Sequence, residues 1–365
     1  MAAEKTERID TMSLMPLARL ACRIAASNLG DLTFPYRMTF AVTNRCQARC
    51  SMCNIWQKPT DNELSLAEID ALFCKAGRFS WVNLTGGELF QRADIEQILL
   101  TIIRRCRQLY LLNFPTNGIQ TGEIVTAVDT ILKQTPLPRL IVSVSMDGPP
   151  DLHDSIRGMP GCWNQALQTY RSLKRLGSER FSVYLGYTIQ AANSGRFYDT
   201  IAACRNVCPG VTIDDFHVNL AHHSGHYYDN TDNDALAEPV HAESELVEIA
   251  SQRRHRPFDP VSFAERRYQH HLSEFLKTGT VALTCQAAAA SCFIDPQGTV
   301  FPCSMFDAPL GSLRDNDMDL YRIWRSAARQ ELRGHIRSGR CPGCWTPCEA
   351  YQTLLANMIK SMAYR

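Results

Sequence analysis

The chain has 365 residues, 45% of them hydrophobic and 21% charged, with 38 basic against 37 acidic side chains and a formal net charge of +1. Such a composition suits a folded chain with a sizeable core, and the near-balance of charge excludes a global field that would recruit nucleic acid or an anionic membrane. No apolar run is long enough to span a bilayer, and the opening MAAEKTERID lacks the apolar core of a secretion signal, so the expected compartment is the cytoplasm.

Residues 1–35 are expected to form an N-terminal helical segment. There LARLACRIAASNL sets Leu17, Leu20, Ile24 and Leu29 near one helical face, which suits packing on the main domain. From Tyr36 onward, strand-like and helix-like stretches alternate. RMTFAV precedes a helix near 65–77, WVNL one near 92–107, and LYLLNF one near 121–134. LIVSVS then precedes a helix near 161–176, FSVYLGYTI one near 195–207, and IDDFHVNL closes the series. Six such units predict an α/β fold with a parallel sheet and right-handed crossovers, closed into a partial (βα)6 TIM-like barrel. Its chemistry is expected at the C-terminal ends of the strands. A helical stretch around 240–278 completes a core domain spanning 36–280. Residues 281–365 form a small cysteine-rich C-terminal extension, where Gly and Pro punctuation and cysteines return.

Fifteen cysteines are many for a chain in a reducing compartment, and their clustering suits metal better than a disulfide framework. Directly after the first strand, CQARCSMC places Cys46, Cys50 and Cys53 on one loop. Three thiolates suit an iron–sulfur cluster with one iron lacking a protein ligand. Zinc with a distant fourth ligand, or cysteines packed as small hydrophobes, are the alternatives on spacing alone. The second strand runs into LTGGE, where Gly86 and Gly87 permit close backbone approach and Glu88 can hold an ammonium group. The third ends in PTNG at 115–118, and the fourth in SVSMDGPPDLHDSIRG, with Ser145, Asp147, His153, Asp154 and Arg157. Each motif alone is a common turn; together they occupy the same end of successive strands.

C-x3-C-x2-C at 46–53, Gly-Gly-Glu at 86–88 and the segment after the fourth strand resemble the radical SAM superfamily over roughly residues 36–225. The resemblance implies that Cys46, Cys50 and Cys53 hold a [4Fe–4S] cluster and that S-adenosylmethionine chelates the fourth iron. It also implies that Glu88, with the Gly86 and Gly87 backbone, meets the methionine amino group, and that Ser145 and Arg157 meet its carboxylate. Asp147 would reach the ribose, and Met52, Ile189 and Asn193 would lie on the adenine side. The implied chemistry is reductive cleavage to a 5′-deoxyadenosyl radical that abstracts a substrate hydrogen. The electron would come from a low-potential donor such as flavodoxin or ferredoxin.

The tail reads C285-x12-G298-x4-C303, then C341-x2-C344-x3-C348, with Cys292 as an extra. IDPQGTVFPC predicts a β-hairpin with Gly298 at the turn and Cys303 beyond its second strand. This stretch resembles the SPASM and twitch extensions of radical SAM enzymes. The resemblance implies at least one auxiliary [4Fe–4S] cluster on Cys285, Cys303, Cys341 and Cys344, with Cys348 as a competing ligand. It further implies a peptide or a small molecule as substrate. The alternative of a different class is a zinc or iron–sulfur binding or electron-transfer protein without SAM chemistry. After the sixth strand, His217, His222, His223, His226, Tyr227 and Tyr228 read as a loop lining a substrate pocket, and Cys22, Cys74, Cys106, Cys162, Cys204 and Cys208 as small hydrophobes.

Overall fold

The computed structural model describes residues 2–236, 238–253 and 260–358. A long first helix, α1 (Ala2–Leu29), leads into β1 (Arg37–Ala41). Leu20 is buried on the start of the barrel and Ile24 packs beside it, whereas Leu17 and Leu29 are exposed. The helix therefore turns a narrower stripe inward than the four leucine and isoleucine positions predicted.

The repeating units follow: α2 (Leu66–Ala76), β2 (Trp81–Thr85), α3 (Ile95–Arg105), β3 (Leu111–Thr116), α4 (Thr121–Gln134) and β4 (Arg139–Ser145). After β4 the crossover contains two helices, α5 (Pro150–Arg157) and α6 (Cys162–Lys174), before β5 (Phe181–Ile189), α7 (Phe197–Val207) and β6 (Phe216–Leu220). Local signals set these boundaries. Ser65 caps α2 and Glu68 returns the bond, as S-x-x-E prescribes. Gly158 ends α5 at φ 63°.

β1 to β6 pair in parallel, each with the next. Alternate positions point outward into one core under the helices, among them Phe40, Leu84, Phe114, Val142 and Leu185. The intervening positions face the lumen, and on β4 and β5 they are half-buried while their neighbours are fully buried. Truncating a buried Phe of this core costs about 3–5 kcal/mol.

Helices α8 (Pro239–Gln252) and α9 (Pro260–Thr278) come next. The sheet then resumes: β7 (Ser291–Ile294) pairs in parallel with β1, opposite Met38 and Phe40, and β8 (Thr299–Phe301) and β9 (Gly311–Ser312) add antiparallel strands. The hairpin turns at Gly298, φ 90°, and Cys303 lies just past β8. One nine-stranded sheet among the described residues thus takes strands from both sides of residue 280. Short helix α10 (Leu320–Trp324), then α11 (Ala327–Arg337) and α12 (Pro347–Ala356) complete the extension.

The free edge of β6 is capped by charge. Arg253 donates to Phe216 O at 2.7 Å, and Val218 N–H points at Glu265 Oε1 at 3.5 Å. Tyr351 on α12 donates to the other oxygen of Glu265 at 2.7 Å, so α9 and α12 close the side of the barrel between β6 and the extension.

Candidate active site

Cys46, Cys50 and Cys53 lie on the loop leaving β1. Burial, then the neighbouring Cys50, pushes the Cys46 and Cys53 thiols up to about 12. The desolvated Cys46 and Cys53 thiols favour their thiolate form only when positive charge arrives, which is the chemistry an iron cluster supplies. Arg157 stands over this loop, with Nη1 3.6 Å from Cys50 Sγ. Burial lowers its basicity, but Asp147 and Cys50 more than offset this and hold it protonated.

The Gly86 and Gly87 backbone runs against the start of the cysteine loop. Gly87 N–H donates to Thr43 O and Glu88 N–H to Arg45 O, both at 2.8 Å. The closest approach these glycines permit is therefore to chain, at Thr43 and Arg45, and Gly86 needs the freedom of φ 142°. The Glu88 carboxylate is buried and accepts from Thr116 Oγ1 at 2.8 Å and Asn117 N–H at 2.7 Å. Burial raises its pKa against those bonds. Ser145 sits at the lumen-facing end of β4, opposite Gly186 of β5.

Three further candidates face elsewhere. Asp147 is fully enclosed: Oδ1 accepts from Thr188 N–H at 2.9 Å and Oδ2 pairs with Arg157, so the carboxylate anchors Arg157 and has no open face toward a ribose. Ile189 packs in the outer core under the helices, because strand alternation gives the lumen to Thr188. Asn193 is buried and spent on backbone, donating to Asp147 O and Thr188 O and accepting from Gln190 N–H. Met52 enters through its carbonyl, which accepts from Asn230 Nδ2 at 2.8 Å.

Some residues at the site carry no motif. Buried polar atoms without partners surround the loop: both ends of the Gln47 amide, Asn117 Nδ2 and Gln190 Nε2. Such groups carry a desolvation cost unless a ligand satisfies them, so the pocket fits a polar cofactor. Parity along β5 and the turn after it is the signal that would have found Thr188 and Gln190.

In the extension, Cys285, Cys303, Cys341 and Cys344 gather around Ala287, Ala288, Met305 and Ile336. Burial and then carboxylate or thiol neighbours push Cys285 to about 12 and Cys303 and Cys344 upward too. Cys348 stands apart, beside Arg37, Glu349 and the hydroxyls of Ser304 and Thr39, with burial raising its pKa. Cys292 points into the outer core opposite Met38. The donor set of the quartet suits a second cluster.

A family model described as the radical SAM superfamily matches residues 40–201, and one described as an iron–sulfur cluster-binding domain, SPASM, matches 285–345. The chain belongs to the radical SAM superfamily. It is a radical SAM enzyme with a SPASM extension, uses S-adenosylmethionine and a [4Fe–4S] cluster, and carries at least one auxiliary cluster. This removes the alternative of a metal-stabilised binding protein without SAM chemistry.

Among its relatives is the antilisterial bacteriocin subtilosin biosynthesis protein AlbA of Bacillus subtilis, 23% identical, covering 88% of this chain and 70% of that protein. Another is the AdoMet-dependent heme synthase of Oleidesulfovibrio alaskensis, 24% identical, covering 84% and 79%. The fold is shared with Streptococcus suis SuiB bound to S-adenosylmethionine, at TM-score 0.58 and 15% identity, covering 90% of this chain and 75% of that one. It is also shared with anSMEcpe bound to AdoMet and a peptide, at TM-score 0.54 and 15% identity, covering 90% and 98%. Among the described residues no helix is long and apolar enough to cross a membrane.

Proposed function

We propose that this radical SAM enzyme abstracts a hydrogen atom from a peptide held in the barrel lumen, and that a low-potential flavodoxin or ferredoxin supplies its electron. With Cys46, Cys50 and Cys53 as ligands, the cluster and S-adenosylmethionine would supply reductive cleavage of the sulfonium and the hydrogen abstraction that follows. The chain's own residues bind and orient. Glu88 receives the ammonium, Arg157 receives the carboxylate with Ser145 beside it, and Asp147 holds Arg157 in place through the buried pair.

The observation that carries the peptide reading is the chemistry of the lumen. Its strand positions present neutral hydroxyls and amides, Ser143, Ser145, Thr188 and Asn219, while Asn83 and Asn113 are bonded to one another and Asn113 also to Trp81. The cations on those faces are engaged, Arg37 with Pro347 O and Gln352, and Arg139 with Glu179 O and Ser182. Neutral donors and acceptors match peptide amides; a substrate bearing several carboxylates would call for free cations. AlbA, the sporulation killing factor maturation protein SkfB and SuiB with its precursor peptide lend weight to it. A tetrapyrrole is the second reading, because the alignment spans 79% and 84% of two heme synthases against 70% of AlbA.

The test is deuterium transfer. Reconstituted enzyme, S-adenosylmethionine and dithionite are incubated with a pool of perdeuterated peptides or with a perdeuterated carboxylated tetrapyrrole. Deuterium in 5′-deoxyadenosine from the peptide pool is expected. Transfer from the tetrapyrrole alone would overturn the peptide reading.

A further inference from the structure

The stretch that follows β6, read from sequence as a pocket-lining loop, is fastened on two sides. On one it grips the cysteine loop: Asn54 N–H donates to Tyr228 O, Asn54 Nδ2 to Asp229 O and Asn230 Nδ2 to Met52 O, each at 2.8 Å. On the other it grips the extension: Ser224 Oγ donates to Ser304 O at 2.6 Å, and His226 Nε2 lies 3.1 Å from Cys303 O. His226 also stacks on Phe301 of β8, ring centroids 4.3 Å apart. The same short stretch, Ser224 to Asn230, is thus bonded to Met52 and Asn54, which flank Cys53, and to Cys303 itself.

Tyr228 stands in the middle. Its ring packs against the apolar group that holds Ile55, Phe293 and Cys53, and against the one that holds Cys285, Cys303 and Cys344. Among the described hydrophobic side chains it is the one that packs against both groups. The Tyr227 ring lies 4.5 Å from it, and Tyr227 is pinned in turn through its hydroxyl to Thr85 at 2.5 Å. The chain on either side of this ring is bonded to the cysteine loop and to the extension, which fixes where the ring sits.

We propose that Tyr228 is the contact through which one electron passes between the cluster of the quartet and the cluster of the 46–53 loop. The transfer balances simply. The auxiliary cluster is oxidised by one electron, the other is reduced by one, and no bond forms or breaks. No proton moves, and Tyr228 stays a closed-shell phenol whose ring supplies continuous contact. The inference rests on the two clusters and not on the peptide reading.

The test uses the reconstituted full chain, reduced at both clusters, freed of dithionite and mixed with S-adenosylmethionine alone. Freeze-quench EPR follows the reduced auxiliary signal, and 5′-deoxyadenosine is counted in the same samples. Cleavage oxidises the first cluster, and decay of the auxiliary signal reports its refilling. Tyr228→Phe keeps the ring and is expected to decay as the unaltered protein does. Tyr228→Leu leaves a gap with no bridging atoms and is expected to decay about tenfold more slowly, with iron content and the first burst of 5′-deoxyadenosine unchanged. If Tyr228→Leu loses iron, Tyr228→Met is used in its place, since it fills space without a ring.

Three results would overturn the proposal. They are unaltered decay in a ringless variant with both clusters loaded, equal slowing in Tyr228→Phe, or no auxiliary decay in the unaltered protein. Absence of the first burst would instead strike at SAM cleavage itself, which keeps the two failures distinguishable.

Discussion

Replacing Gly87 by Ala should damage the cysteine loop more than the fold. A Cβ at this position would stand 2.3 Å from Arg45 O and 2.8 Å from Asn44 O, where ordinary contact begins at 3.4 Å. Neither neighbour is a flexible side-chain tip; both are backbone of the segment that delivers Cys46. One strand end must therefore retreat by about 1 Å. That retreat breaks Gly87 N–H to Thr43 O and Glu88 N–H to Arg45 O. Overpacking of this kind costs about 1–3 kcal/mol, a fall of about 1–4 °C in the melting temperature of a chain this long.

The larger effect falls on the cluster, because the displaced segment carries its first ligand while Glu88 stays tied to Thr116 and Asn117. Iron and acid-labile sulfide in the anaerobically reconstituted protein are the assay, with Gly122→Ala as the control. Gly122 lies in α4 with nothing within 4 Å of an added Cβ, and Ala there should be neutral or stabilising by about 0.4–1 kcal/mol. Full iron and an unchanged melting temperature in Gly87→Ala would refute the close-approach reasoning.

Arg157→Lys keeps a cation near Asp147 but loses the fork, and should weaken S-adenosylmethionine binding by about tenfold with the cluster retained, measured by titration of the reduced EPR signal. His153 accepts from Asp147 N–H at 3.0 Å, and burial, then Arg157, lowers its pKa from 6.5 to about 4. Its stabilising contribution is present above pH 6.5 and is lost as pH falls toward 4, worth about 3 kcal/mol over that window. His153→Phe should flatten the fall in melting temperature of cluster-free protein across the window; an unchanged slope would contradict the assignment. Cys303→Ala should lower bound iron by one cluster while 5′-deoxyadenosine formation persists, whereas Cys348→Ala should keep the full iron count if the quartet alone holds the auxiliary cluster.

Much of this architecture is legible in the sequence. Alternating strand and helix patterns predict the six parallel strands, because buried parallel strands must be apolar on their outer faces and helices amphipathic. The cysteine loop, Glu88, Ser145 and Arg157 stand out in the sequence because each falls at a strand end, where barrel topology makes residues distant in sequence converge. The hairpin through Gly298 followed from local turn chemistry.

What escaped depended on parity or on long-range contact. The resemblance sets Ile189 on the adenine side, but Ser182, Tyr184, Gly186 and Thr188 share the lumen face of β5 and the strand's alternation turns Ile189 into the outer core. Asp147 and Asn193 were read as ligand contacts, but their polar groups are consumed by Thr188, Arg157 and the turn after β5, which no spacing reveals. The parallel pairing of β7 with β1 joins residues some 250 positions apart and has no local signature. The clamp from His226 and Asn230 is a property of two loops meeting, invisible to a motif.

The central claim is that the 46–53 thiolates hold an iron cluster with a site for S-adenosylmethionine, and EPR of the reduced protein tests it most directly. The spectrum should change on adding S-adenosylmethionine, and that change should vanish in a Cys46→Ala, Cys50→Ala, Cys53→Ala variant that keeps its auxiliary signal. A spectrum indifferent to S-adenosylmethionine, or a triple variant that still responds, would contradict it.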